Sequence, residues 1–396
     1  MANELYRGGL VYALTGLLAS CGGEPAMQSP DASRGTDGSI PVVTPTWLEG
    51  KPLNEWMQIP GTAGAGGTAV YAFCGMGLKQ SSSEIIVALA GGHGDSADNR
   101  VSSIRIDQDQ PSWTVRMQPS TEVEPNVAYY PDGKPSARHT YYTTHYVEQV
   151  DRLMMIGAQF VYGTPPSFPA VDGFDLETNT WDPAGTWADL TGGYGKTQDV
   201  ATGDVWSATG YSISKWSAAT RTQTVLQTFN STFMAMQNAW DPVRNQLISL
   251  GFGDGWGYGN FPTMNAYIID ATGTTATPLT FHPSPALTQF LAAAPVSASF
   301  EYDPDHDRFF YFDAKGDGDH GTANDGGLIY VITPNATTTW DVSILPLGPG
   351  TQNPTRAGDV GINNRFRYVP ALKGFVYLHA PAYNDLPDLY FIKTAQ

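Results

Sequence analysis

With 396 residues and 21 Lys+Arg against 38 Asp+Glu, the chain carries a formal net charge of −17, and such a surface repels nucleic acid and other polyanions in general. Gly 43 and Pro 29 punctuate many tight turns, and 41% hydrophobic with 12% aromatic residues is ample for the core of an all-β domain. Recognisable metal motifs, nucleophile elbows and phosphate loops are missing, which disfavours hydrolase, protease and nucleotide chemistry.

In chain order, residues 1–21 read as a lipoprotein signal peptide: Arg7 supplies one positive charge, Gly8 to Ala19 is a short apolar stretch, and Leu18-Ala19-Ser20-Cys21 matches a bacterial lipobox. Cys21 is then lipidated. The alternatives are a plain secretory signal or a buried N-terminal helix; the apolar run is too short for a comfortable membrane span. Residues 22–44, rich in Gly, Pro, Ser and Asp, read as a flexible tether. The expected location is extracytoplasmic, anchored by lipid to a bacterial outer membrane or cell surface. Cys74, the remaining cysteine, has no disulfide partner and reads as a small buried hydrophobe on an apolar strand spanning Val70 to Gly75.

Residues 45–396 carry a repeat. An aromatic, a turn signal and an apolar strand recur at Tyr146 to Gly157, Trp240 to Gly251, Tyr302 to Phe312 and Tyr368 to Leu378. An Asp-Pro or Val-Pro step sets φ for the turn in three of them, so each unit is a hairpin. A third strand follows, as at Asn99 to Ile106, and then in several units a fourth around a Trp, as at Trp113 to Met117, Trp181 to Trp187 and Trp340 to Leu345. Four antiparallel strands per unit make the blade of a β-propeller. Blades fall near 68–117, 135–187, 192–228, 233–282, 296–345 and 362–394, the third being the weakest pattern. The last lacks an outer strand, which the segment Asn54 to Ile59, carrying Trp56, is expected to supply. Six blades result; seven of roughly 50 residues is the alternative.

In such a blade, the loop between strands two and three and the start of the innermost strand lie on one face of the ring, and chemistry-bearing residues concentrate there. The loop Gly91 to Arg100 projects His93, Asp95, Asn99 and Arg100 from a glycine-rich turn. The next blade begins with Pro135-Ser-Ala-Arg-His-Thr-Tyr141, which sets Arg138, His139 and Tyr141 beside it, and Asn364 and Arg365 flank the same corner across the ring closure. His93, His139 and Tyr141 are the candidate proton-transfer groups, and Arg138 and Arg365 the candidate forks for a carboxylate, with Asn364, Asp95 and Asn99 beside them. The competing reading is that these groups satisfy strand ends and stitch blades together. Trp256 and Tyr258 sit in a glycine-rich loop suited to stacking on sugar rings, or simply to packing on neighbouring loops. The loop from Asp313 to Asp325 offers Asp313, Asp317 and Asp319 as oxygen ligands for a structural Ca²⁺, yet lacks the alternation and closing Glu of the standard calcium loop, so a solvated acidic loop is the other reading.

The Gly-Gly-His-Gly-Asp loop, the Pro-x-x-Arg-His-Thr-Tyr segment at 135–141 and the Asn-Arg-Phe-Arg-Tyr-Val-Pro segment at 364–370 resemble bacterial secreted propellers of the Kelch-type, galactose-oxidase-central-domain-like group. The resemblance covers most of 45–396 and implies the fold rather than one activity, because these rings host oxidases, epimerases, lyases and binding proteins. A copper radical oxidase needs a Tyr crosslinked to Cys, and Cys74 lacks that setting. Propeller polysaccharide lyases are closer, with His or Tyr as base and Arg or His neutralising a uronate. The two expectations carried forward are a lyase-like site for an acidic polysaccharide and a non-catalytic glycan- or protein-binding propeller.

Overall fold

The structure, a computed structural model, describes residues 44–62, 73–157, 159–163, 167–190, 195–209, 212–229, 237–252, 264–295, 297–313, 327–354, 361–379 and 388–396. Six blades of four antiparallel strands follow one another along the chain and form a six-bladed β-propeller, the fifth carrying in addition a short strand, Thr280–Phe281, parallel to its outer edge. From innermost to outermost strand, the first blade is Gly77–Lys79, Glu84–Ala88, Val101–Arg105 and Thr114–Met117, and the second is Thr144–Val147, Arg152–Ile156, Val171–Asp175 and Thr180–Trp181. The third, the weakest pattern in the sequence, is complete: Thr197–Gln198, Val205–Thr209, Ser212–Ser217 and Thr222–Thr228. The fourth and fifth run from Asn238–Asp241 to Ala276–Pro278 and from Ser299–Asp303 to Thr339–Ile344. The sixth has Phe366–Val369, Gly374–His379 and Asp388–Lys393 from the C-terminal end, and its outer strand is Trp56–Gln58 from the N-terminal end.

That closure is the expected one, in the register Trp56 to Ile392, Met57 to Phe391 and Gln58 to Tyr390. Six sheets are blades, not the seven of the alternative; the remaining sheet among the described residues has three short strands, Arg138–His139, Gln159–Val161 and Ser167–Phe168. Two boundaries differ from the sequence reading. Cys74 is buried but precedes the first strand, which starts at Gly77 because the residues before it turn through a left-handed Phe73. The outer strand of the second blade stops at Trp181, because Pro183 follows at once and cannot donate to a ladder. One helix, Pro285–Ala293, lies between the fourth and fifth blades; the Ser284 hydroxyl caps it by accepting from Leu287 N, with Pro285 at its first position.

Period-two side-chain alternation fills the seams between blades. On the strand Glu84–Ala88, Ile85 and Val87 join the cluster shared with Val376, Leu378 and Phe391 of the sixth blade, while Ile86 and Ala88 join Tyr146, Leu153 and Met155 of the second. The repeated aromatic-turn motif has a polar logic as well. The Tyr302 hydroxyl donates to Asp307 at 2.8 Å, and the Tyr146 hydroxyl donates to Asp151, each acid following its Tyr in the hairpin and sitting at positive φ where the chain turns. Asp241 accepts from the backbone of Val243 at 3.1 Å and Arg244 at 3.0 Å, so the Asp-Pro turn is closed by its own side chain.

Trp56 is fully buried against Phe312, Phe366 and Tyr377, and its indole N–H donates to Gly327 O at 2.9 Å. Trp56→Ala is expected to destabilise the ring by on the order of 4 kcal/mol in chemical denaturation. A variant with the wild-type midpoint would show that this strand does not hold the closure.

Candidate functional site

The corner where the first and second blades meet is built from tight backbone. The turn after Glu84–Ala88 is pinned by Gly92 N donating to Ser96 O at 2.7 Å and Asp95 N to Gly92 O at 2.9 Å. His93 N reaches Val161 O at 2.9 Å, which docks the turn on a small sheet formed by Arg138–His139, Gln159–Val161 and Ser167–Phe168. Gly92 is required there, since a Cβ would overlap the backbone of Arg138 and His139. Phe73, Leu89, His93 and Tyr141, all bulky, have positive φ at this corner. Left-handed backbone is costly for such side chains, and strain of this kind gathers at functional sites.

Within this frame His139 is held on both sides. Its Nε2 lies 2.7 Å from Asp95 Oδ2 and its Nδ1 3.4 Å from the Tyr141 hydroxyl. Burial lowers its pKa from the ordinary 6.5, and Asp95, pulling upward, does not overcome that. The imidazole is therefore neutral at pH 7. A carboxylate only accepts, so the assigned tautomer has Nε2–H donating to Asp95, which turns the Nδ1 lone pair toward the Tyr141 O–H. Rings surround the pair: His93 stacks on His139 at 5.4 Å, Phe73 lies 5.0 Å from His139 and 5.4 Å from Tyr141, and Phe160 meets His93 edge-on at 5.8 Å. His139 itself is buried, whereas Phe73, His93, Tyr141 and Phe160 are each part-exposed, so they rim a cup open to solvent.

Other expected site residues are placed elsewhere. Arg138 is fully buried: Nη1 pairs with Asp172 at 2.9 Å, and Nη2 and Nε donate to Ala128 O and Ser136 O. It stitches the second blade to its flanking loop and has no fork to offer a ligand. Arg365 is also fully buried, its guanidinium folded back on Gly361 O and Ile362 O. Asn364 spans three blades, accepting from Met76 N at 3.1 Å and donating to Thr144 O at 2.7 Å. Asn99 is fully buried, donating to Ser120 Oγ and Pro135 O. Arg138, Asn364 and Asn99 have their donors engaged within the fold, as the stitching reading expects, whereas Arg365, though fully buried, keeps Nη1 without a hydrogen bond among the described residues. Cys74, buried, has its thiol pushed up to about 11 by desolvation, which keeps it unreactive. Asp313 is buried; Asp317, Asp319, Trp256, Tyr258 and Cys21 lie outside the described residues.

Sequence reasoning missed Phe73 and Phe160, the two rings that complete the cup. Phe73 stands one residue before Cys74 in a stretch whose apolar character reads as strand, and Phe160 in a segment without a repeat signature. It also missed the axis of the ring. There Tyr142, buried, crosses from the second blade to donate to Ala298 O of the fifth at 2.6 Å, with the Gln237 side-chain amide of the fourth at 3.1 Å.

The sheets and their closure define the class, a six-bladed β-propeller. No protein-family model and no curated protein matches the chain. Among solved structures, a chain from "Crystal Structure of Mitotic Checkpoint Complex" is similar at 12% identity and a TM-score of 0.44, over 96% of this chain and 100% of that one.

Arg138→Ala is expected to cost about 3 kcal/mol in urea unfolding, since it strands the buried Asp172 carboxylate. A variant of unchanged stability that instead loses ligand would return Arg138 to the site.

Proposed function

We propose that this propeller binds carbohydrate at the cup and acts there as a lyase of an acidic polysaccharide, as its resemblance to Kelch-type, galactose-oxidase-like rings suggests. The observation that carries the reading is the two-sided hold on His139, which lines up the Tyr141 hydroxyl, His139 and Asp95 as a path for one proton. Tyr141, on the rim, gives its proton to His139 Nδ1, and the phenolate takes the proton from the carbon beside the sugar carboxylate. The bond from the neighbouring carbon to the leaving oxygen breaks, a carbon–carbon double bond forms, and the proton passes to that oxygen. Phe73 and Phe160 offer faces on which a pyranose ring stacks. With Arg138 consumed and Arg365 fully buried, His93 on the rim is the group that meets the carboxylate.

Tyr141→Phe and His139→Ala should each lower production of unsaturated, ultraviolet-absorbing ends from a uronate-polymer panel by about 100-fold. Tyr141→Phe should keep binding within a few-fold. Because the His139 pKa is lowered, its base form persists below pH 6.5, and the acid limb of kcat/KM should lie below that value. Turnover untouched by Tyr141→Phe rules out the relay; a wild type that binds a glycan but turns none over supports the non-catalytic alternative.

We further propose that Cys21 carries a lipid that holds the ring outside the cytoplasm, on the Leu-Ala-Ser-Cys box and the polar segment after it. Cys21→Ala should move the protein from the membrane to the soluble fraction and abolish acyl mass on the N-terminal peptide. Unchanged fractionation, with no acyl mass in the wild type, would remove the anchor.

A further inference from the structure

The axis of the ring is lined by cationic groups whose hydrogen-bonding capacity is unspent. Lys196, directly before the inner strand of the third blade, is buried and has no hydrogen-bond or ion-pair partner among the described residues. Its aminobutyl chain runs over Gly157, where any side chain would collide with its Cε. Arg367, on the inner strand of the sixth blade, leaves Nε without a hydrogen bond, with Glu301 Oε1 at 3.3 Å from it as its acid. Arg365, two residues earlier and so on the same face, leaves Nη1 unpaired. His145, on the inner strand of the second blade, donates its Nε2–H to Tyr142 O, 2.8 Å away, and its Nδ1, an acceptor in the neutral ring, has no hydrogen-bond partner among the described residues. The charges of Arg367 and Lys196 both act on this imidazole, so the second, third and sixth blades contribute to one polar centre.

Buried polar atoms are nearly always satisfied, and a buried charge almost always has a counter-charge. A water molecule would satisfy a donor but would leave the Lys196 charge uncompensated. We propose that the axis of the ring, between Lys196 and Arg367, is a binding site for a small oxyanion, a carboxylate or an inorganic sulfate-like ion. Tyr142, whose carbonyl takes the His145 N–H, sends its hydroxyl to Ala298 O at 2.6 Å. Glu301 and Asp313 are the acids nearby. Burial pushes the Glu301 carboxyl up even beside Arg367, and the Asp313 charge acts on Tyr142 and Tyr377. His379, held down at about 3 by burial and then by Arg365, stays neutral. Burial alone draws the Lys196 amine down to about 8, with no acid among the described residues to hold it up.

Sodium sulfate and disodium malonate, both fully ionised at pH 7 and at pH 9.5, are titrated into the full chain by calorimetry at constant ionic strength made up with chloride. Saturable one-site binding of at least one is expected at pH 7, sulfate alone marking an inorganic ion and malonate alone an organic acid. Lys196→Met should weaken it by about tenfold or more and raise Tm without ligand, since it removes an unpaired buried charge. In the wild type the affinity should fall about tenfold between pH 7 and pH 9.5 as the amine loses its proton, a comparison that stands even if the variant fails to fold. His139→Ala should bind as the wild type does. The axial site is overturned by no saturable binding of either anion, by equal affinity in Lys196→Met, by an affinity that does not change with pH, or by loss of binding in His139→Ala.

Discussion

Everything in this ring depends on three residues from one end of the chain pairing with three from the other. Without Trp56–Gln58 on Tyr390–Ile392, six blades would be an open stack with an unpaired β edge and the seam around Trp56 laid bare. The indole explains why the join holds. It enters the seam between the fifth and sixth blades, so closing the sheet also fills the core, and its N–H finds Gly327 O of the fifth blade. Strand pairing and seam packing are thus one event, which makes closure cooperative rather than a weak add-on.

With the ring shut, the inner strands are brought face to face and their polar residues must be settled in a narrow space. Tyr142 and Asn364 do this by reaching past their neighbours, to Ala298 and to Thr144. Such long-distance bonds fix the angle between blades more tightly than apolar seams can, because a hydrogen bond has direction and a hydrophobic contact has none. The corner at His139 inherits that precision: its imidazole is placed by two strands and a turn that are each bonded to a different neighbour.

The fold was legible because it rests on local rules. The Asp-Pro hairpins, the period-two strands and the missing last strand all announce themselves within a dozen residues, and each strand that the repeat located is present. The corner was legible by topology, which brings His93, Asp95, His139 and Tyr141 together. Its chemistry was only half legible. Whether an arginine is a ligand fork or a stitch depends on Asp172, a partner 34 residues away that no motif marks. Lys196 gave no signal either, since what sets it apart is that it has no counter-charge among the described residues.

Gly92 has a consequence for how sequences like this one are compared. The loop around it looks like an active-site signature, with glycines framing a histidine and an aspartate. Yet the glycine is demanded by the Arg138 backbone that presses on it, whatever the ring binds or turns over. A search keyed to those glycines therefore gathers proteins that share a corner of architecture, whereas the proton path proposed for this corner runs between Tyr141 and Asp95, separated in sequence and joined through an imidazole. Grouping related chains by that pair, and ignoring the loop, would sort them by whether the proposed path can form.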